Sequence, residues 1–448
     1  MKKLIAVFLT LIMVLSMTAC TAQTAAPAES TEAAESTEAA VVTEEPAATV
    51  DLTTPVTLNL LSHTYAALTY YTGELVEDAP ENVTVVPEMT NYTDWQEKMR
   101  LNLAQGSDAY DITYITPQDL AEFASNGWLV PLDDYIQKYW DEYNFGDIPQ
   151  YLWDGYTYEG HIYGIPSHQW GMDLFYRTDL LEEAGVEVPT TLDELVAAAA
   201  ALNKDGRSGI VLTLKASDML MVTYQAFLTA CGGWFWDENY EPQFSSEASL
   251  TAIDYMMQLY AYTPTDSSTY TNNEATVAMC QDLAAMAMMQ TTRSTNMSNP
   301  DESIVVGKVG FASAPSLTAG GPAAAIWNTA GYSISAFSKN DPEICFLTIA
   351  NATDEESSMG GADVSMPARA SALTDELLAS RTDYAAAWEA IQSGATLRPT
   401  IPEFNEIMEI SMTALAKVIT GQAEVTAAMQ QVDTDVRAVL DEAGYYTK

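Results

Sequence analysis

The side chains in this sequence best equipped for chemistry cluster in one stretch, Gly160–Leu180, which reads GHIYGIPSHQWGMDLFYRTDL. Its middle carries His168, Gln169 and Trp170, with Asp173 close behind. An indole offers an apolar face, while imidazole, amide and carboxylate groups donate or accept hydrogen bonds in fixed directions. That mixture suits a cleft for a polar ligand. Two strand-like runs, His161–Ile165 and Met172–Tyr176, flank the polar-aromatic segment Pro166–Gly171. Pro166 favours an extended or turning entry and Gly171 relaxes the backbone before the second run. The stretch therefore reads as a crossing between two lobes, with a turn at its centre and the cleft floor upon it.

The rest of the chain has to supply those lobes. At 448 residues with 48% apolar content, it is long enough for two lobes plus tails and can bury a sizeable core. Acidic residues number 62 against 18 basic ones, a net charge of −44. Such a surface repels nucleic acid and anionic lipid headgroups. The shortage of basic residues also argues against a strongly anionic ligand.

The N-terminus reads as an address. Met1-Lys2-Lys3 is followed by an apolar run, Leu4–Leu15, and a small-residue exit, Ser16–Ala19, to Cys20. The run is shorter than the roughly 20 residues a spanning helix needs, so residues 1–19 read as a signal peptide. Residues 20–50 hold Cys20 and a low-complexity linker in which ESTEAA occurs twice, a composition expected to be disordered. Cys231, Cys280 and Cys345 are scattered without metal-ligand spacing and are expected to be buried free thiols, although one disulfide with one spare thiol remains open.

Beyond Val50 the pattern alternates. Strands are expected at Val56–Leu61, Val83–Val86, Asp111–Ile115, Ile210–Leu214, Val305–Ala312 and Gly331–Phe337. Helices are expected up to Leu75 and at Tyr92–Leu103, Pro117–Ser125, Leu192–Leu202, Met219–Ala230, Ser249–Tyr260 and Pro342–Asn351, with Leu283–Met289 a buried strand or helix. Thr374–Gln392 reads as an interrupted helical run, and Phe404–Thr420 and Val425–Ala443 as a terminal helical pair broken at Gly421. This order implies βαβ units and a largely parallel sheet, an α/β architecture. Trp234–Phe244 reads as a hairpin in which alternation makes Trp234 and Trp236 packing residues.

Five passages in this order resemble the extracellular solute-binding proteins of carbohydrate ABC importers, the maltose-binding-like family. They are DWQEKMRLNLAQGSDAYDITYI, the crossing stretch continued through VPTTLDEL, AGYSISAFSKNDPE, SMPARASAL, and the terminal run from LRPTIPEFNEIMEIS to VRAVL. The resemblance implies a two-lobed periplasmic-binding-protein-like (type II) fold with a hinge, closing on a sugar or oligosaccharide and delivering it to permease subunits. It places residues 51–168 with 331–383 in one lobe and 169–330 with 384–448 in the other. MTAC before and at Cys20 resembles a lipobox, which implies lipidation of Cys20 and a membrane-anchored protein facing outward. The chain departs from the family where Ala285-Met286 leads into Gln290-Thr291-Thr292-Arg293 instead of a glycine turn and an aromatic.

Sugars present apolar C–H faces and hydroxyl edges, and ligands of open α/β sheets sit beyond the carboxyl ends of strands. The ligand-binding candidates follow. Trp170 and Asp173 lie on the crossing, while His63 and Tyr65 follow the first strand. The resemblance adds Gln118 after the third strand, Trp327 before the return strand, Asp218 and Tyr224 on the second lobe, and Arg293 in the divergent turn. His168 is expected to support the turn. No H-E-x-x-H, G-x-S-x-G, P-loop or G-x-G-x-x-G pattern occurs, and the three histidines lack metal spacing. Neither an enzyme, a metal nor a cofactor is therefore expected, and a monomer with a small, neutral sugar ligand is. The alternatives are the same scaffold binding a peptide or polyamine, or a secreted glycoside hydrolase.

Overall fold

The structure, a computed structural model, describes residues 50 and 52–446. The signal segment, Cys20 and the acidic repeat lie outside the described residues. The chain enters through β1 (Val56–His63), in which Leu58, Leu60 and Leu61 are fully buried. Helix Ala66–Glu77, β2 (Val83–Thr90), helix Tyr92–Ala104, β3 (Ile112–Ile115) and helix Pro117–Ser125 follow. β1 pairs in parallel with both β2 and β3, so these are the expected βαβ units. Their helices start where the sequence says they should. Asn91 accepts a hydrogen bond from the Asp94 N–H at one N-terminus, and Pro117 occupies the first turn of the other.

A small hairpin, β4 (Thr157–Tyr158) with β5 (His161–Ile162), leads into β6 (Ile165–Trp170) and β7 (Met172–Arg177). The remaining strands are β8 (Met286–Gln290), β9 (Val309–Ser313), β10 (Asn328–Ile334) and β11 (Met366–Pro367). The strands form a six-stranded sheet in the order β11–β6–β10–β3–β1–β2 and a three-stranded sheet in the order β8–β7–β9. β1–β2 and β1–β3 are parallel and the other pairings in both are antiparallel, so the first sheet is mixed and the second antiparallel where a largely parallel sheet was expected. Each sheet centres one lobe of an α/β molecule, and β6 and β7 carry the chain from one to the other across Gly171.

The crossing differs from expectation. Pro166–Trp170 is not a turn but strand, buried throughout. Proline is tolerated there because β6 bulges beside it: Ala330 pairs with His168 and Gly331 with Pro166, which leaves Ser167 as the extra, unpaired residue. The Ser167 hydroxyl donates to the Ala330 carbonyl at 3.0 Å and closes the gap. The Ile210–Leu214 run is also different. It is buried, but it meets β8 only through a bridge between Val211 and Ala287. β9 starts four residues later than the expected strand because Gly307 turns the chain with φ of +75°.

Cys231, Cys280 and Cys345 are free thiols, with Cys280 and Cys345 buried. The terminal helices, Phe404–Ile419 and Val425–Glu442, are broken at Gly421 as expected. Asp433 fixes the second to the 234–244 hairpin by accepting from the Phe244 and Ser245 N–H groups at 2.7 and 3.0 Å.

A side chain at Gly331 would place its Cβ 2.2 Å from the Ile165 carbonyl oxygen, an obstacle made of backbone. Gly331→Ala is therefore expected to destabilise the protein by about 3 kcal/mol, the upper end of over-packing penalties. A denaturant midpoint equal to that of the native protein would refute the bulge's role.

Candidate functional site

An aromatic cluster at the end of β1 brings the inner part of the cleft together. The His63 ring lies 4.8 Å from Tyr65 and 5.5 Å from both Tyr92 and Tyr114. Tyr65 meets the edge of Trp170 at 6.5 Å, and its hydroxyl is 2.6 Å from His168 Nε2. His168 is stacked on Tyr71 and its Nδ1 is 2.9 Å from the Ser167 hydroxyl, so it braces β6 rather than a turn. Burial and the neighbouring His63 hold His168 at about 3, and burial with the Arg293 charge holds His63 at about 4. Both imidazoles are neutral near pH 7.

The opposite wall comes from the other lobe. Arg398 donates from Nη2 to the Asp218 carbonyl at 2.8 Å and stands 3.9 Å from the Asp218 carboxylate. Tyr92 reaches between the walls. Its hydroxyl donates to Asp119 at 3.3 Å, and burial, then the Asp119 and Asp218 charges, raise it well above the usual phenol range. Gln118 accepts from the Asn328 amide at 3.2 Å, and Asn328 pairs with Trp170 across the β6–β10 ladder. His63 Nδ1, Trp170 Nε1, Arg293 Nε and Arg398 Nε are all buried without a hydrogen-bond partner. Orphaned polar atoms are costly in folded proteins, and these four belong to residues of the candidate cleft.

An outer chamber of about 410 Å³ adjoins this cluster, lined by Tyr151, Trp234, Trp236, Trp327 and Arg398. Tyr151 stands edge-on to Trp327 at 5.0 Å and donates to the Gln169 amide oxygen at 2.6 Å, tying the chamber to the crossing. Trp234 and Trp236 do more here than pack. Strand alternation concealed this, because Trp236 ends a short bridge to Pro242 and the hairpin is too brief for two distinct faces. Arg398 was also missed; its signal is an arginine spent beside a proline in a chain with only 18 basic residues.

Two candidates do not join the cluster. Tyr224 is fully buried, its hydroxyl 2.7 Å from Ser249 and its ring stacked on Phe244, which makes it core. Asp173 is fully buried on β7, and the nearest charge it feels is Asp383 at the start of helix Thr382–Gln392. A Cβ at Gly171, two residues earlier and so on the same strand face, would meet Ala387 of that helix at 2.8 Å. The carboxylate therefore lies beneath the helix and not on the cleft. Burial, then repulsion from Asp383, raise Asp173 well above the usual carboxylate range, with Thr291 opposing. Among the described residues no group of three His, Cys, Asp or Glu is placed to hold a metal, and no helix is long and apolar enough to cross a membrane.

Residues 65–354 match the family model for bacterial extracellular solute-binding proteins. The chain belongs to that family. The mannitol-binding protein of Pseudomonas aeruginosa is 25% identical over 377 residues, covering 78% of this chain and 85% of that one. A solute-binding protein from Agrobacterium radiobacter K84 in complex with ribitol superposes with a TM-score of 0.76 at 25% identity, covering 86% of this chain and 99% of the other. A maltose-bound protein of T. maritima gives the same TM-score at 22% identity, over 86% and 100% of the two chains. The fold is thus the two-lobed, type II periplasmic-binding-protein architecture expected from the sequence.

The buried Asp173 carries a pH signature. Its folded pKa lies above its unfolded value near 3.9, so the folded state binds more protons between those two values and stability falls as pH rises through that window. Its neighbours Asp383, held by Arg381 and Ser294, and Thr291 set the background. Asp173→Asn is expected to lower the steepness of that fall by up to about 1.4 kcal/mol per pH unit and to be more stable than the native protein at pH 7. Parallel stability curves for the two proteins from pH 4 to 8 would refute this.

Proposed function

We propose that this protein is the solute receptor of an ABC importer, binding a sugar, polyol or oligosaccharide between its lobes and presenting it to permease subunits. The observation that carries the reading is the combination of orphaned polar atoms on the inner wall with three tryptophans on the outer one. Indole faces match the C–H faces of a sugar ring, and directional polar groups match its hydroxyls. Relatives named for mannitol, arabinooligosaccharide and lactose binding support the same class.

The family is one of transport receptors, and we read this member likewise as non-catalytic and monomeric. We assign the lobes to residues 51–168 with 331–383 and 169–330 with 384–448; that β6 and β7 belong to different sheets supports a crossing in this region, although the boundaries at 168 and 330 fall inside β6 and β10 of one sheet. Anchoring through a lipidated Cys20 and an acidic spacer, residues 20–50, places the receptor on the outer face of the membrane. The ligand set is Trp170, Trp327, His63, Tyr65, Gln118, Asp218 and Arg293, extended by Trp234, Trp236 and Arg398. Asp173 and Tyr224 are left out of it.

Calorimetry across a panel of monosaccharides, polyols and oligosaccharides is expected to find at least one ligand with micromolar or tighter affinity and no turnover. Trp170→Ala should weaken it at least tenfold, about 1.4 kcal/mol, while the thermal midpoint shows a folded protein. An unchanged affinity would remove Trp170 from the site, and silence across the panel would overturn the sugar reading.

A further inference from the structure

We infer that the solute carries a carboxylate, bound by Arg293, so that the ligand is a sugar acid rather than a neutral sugar or polyol. This rests on the sugar-receptor reading and narrows it.

The first support is the partnering of arginines. Arg100, Arg177, Arg207, Arg381 and Arg437 each bond a carboxylate, Arg398 holds Asp218, and Arg369 donates to the carbonyls of Thr353, Tyr143 and Asn144. Arg293 makes no ion pair and, with its Nε buried, leaves that donor without a hydrogen bond among the described residues. In a chain with 62 acidic residues against 18 basic ones, an arginine without an acid beside it is the exception. The residue is half-buried, and a partly desolvated guanidinium without an acid partner gains from a counter-charge. Its position decides where that charge comes from: the Thr291 N–H and hydroxyl both donate to the Gly171 carbonyl at 3.0 Å, which ties the Thr291–Arg293 turn to the residue after Trp170, and the Arg293 charge is felt at His63.

The second support is the kind of atom left over. Trp170 Nε1, Arg293 Nε and Arg398 Nε are donors only. A sugar hydroxyl that accepts from one of them must also place its own proton, whereas a carboxylate only accepts. Against these three donors stand His63 Nδ1, which can donate or accept, and the acceptor Gln225 Oε1 beside Leu397; the donors that remain in excess are complementary to an acceptor-only group. The planar guanidinium fork matches a carboxylate in geometry as well. A phosphate dianion fits less well, since the other cleft arginine, Arg398, is already engaged by Asp218. The shortage of basic residues that argues against an anionic ligand describes the whole surface; in the cleft Asp218 balances Arg398, which leaves Arg293 as the arginine without an acid partner.

The test is calorimetry on the full chain with matched pairs: D-glucose and D-glucuronate, D-galactose and D-galacturonate, D-mannitol and D-mannonate, the 1,4-linked disaccharides of the uronates with their neutral forms, and D-glucose 6-phosphate. At least one acid is expected to bind 30-fold or more tightly than its neutral partner, with affinity falling as salt rises. Arg293→Gln should shrink that ratio below threefold, and Arg293→Lys should restore part of it. Should Arg293→Gln not fold, the native ratio and its salt dependence decide the matter. A neutral member binding as well as its acid overturns the carboxylate and leaves the sugar reading standing. Tighter binding of the phosphate, or a preference that survives Arg293→Gln, overturns the assignment too. If no member of either kind binds, the sugar reading fails together with this one.

Discussion

The run from Ile165 to Arg177 has to be strand in two sheets at once, and much else in the molecule follows from that demand. β6 is locked between β10 and β11, and β7 between β8 and β9, with Gly171 alone to change allegiance between them. Any residue larger than glycine at that point would press on Ala387, so the terminal part of the chain closes over the junction as tightly as it can. The bulge at Ser167, opposite Ala330 and Gly331, completes the arrangement by taking the one residue of β6 that has no partner on β10. Because the crossing is rigid strand on both sides, His168 and Trp170 have their positions fixed by backbone pairing and not by a flexible loop. Sites built on regular elements are held more closely than sites on loops.

On that base the cleft divides its labour. The inner wall is a group of aromatic rings whose hydroxyls and imidazoles satisfy one another, as Tyr65, His168 and Ser167 do, with a few N–H groups left facing inward. The outer wall is indole, with Tyr151 bracing Trp327 edge-on. The basic residues of this very acidic chain are largely spent elsewhere, in ion pairs such as Arg100 with Glu122.

Much of the fold could be read from the sequence because its punctuation is unambiguous. Pro117 and Asn126-Gly127 delimit one helix, Thr191 with Glu194 forms a capping box on another, and both fall where the residues put them. Where reading failed, the cause was tertiary. Pro166 signals a turn in isolation, and only the bulge at Ser167 beside it makes it tolerable in a ladder. Six of the cleft residues named from the sequence, His63, Tyr65, Gln118, Trp170, Asp218 and Arg293, are tied into one network of ring contacts, hydrogen bonds and charges. Trp234 and Trp236 were hidden because a short hairpin shows the same alternation whether its rings fill a core or line a chamber. Asp173 misled because adjacency to Trp170 along a strand says nothing about which face the next element covers.

The neutrality of the inner wall has one further consequence. His63 and His168 stay uncharged until the medium becomes strongly acidic, and burial pushes Tyr65, Tyr92 and Tyr114 in the other direction. None of these groups changes protonation across the ordinary range of acidity. Members of this family work outside the cell, where no cytoplasm buffers the surroundings. A wall that keeps the same protons in souring and alkaline water also keeps the same pattern of donors and acceptors. Recognition is thereby insulated from the weather of the habitat.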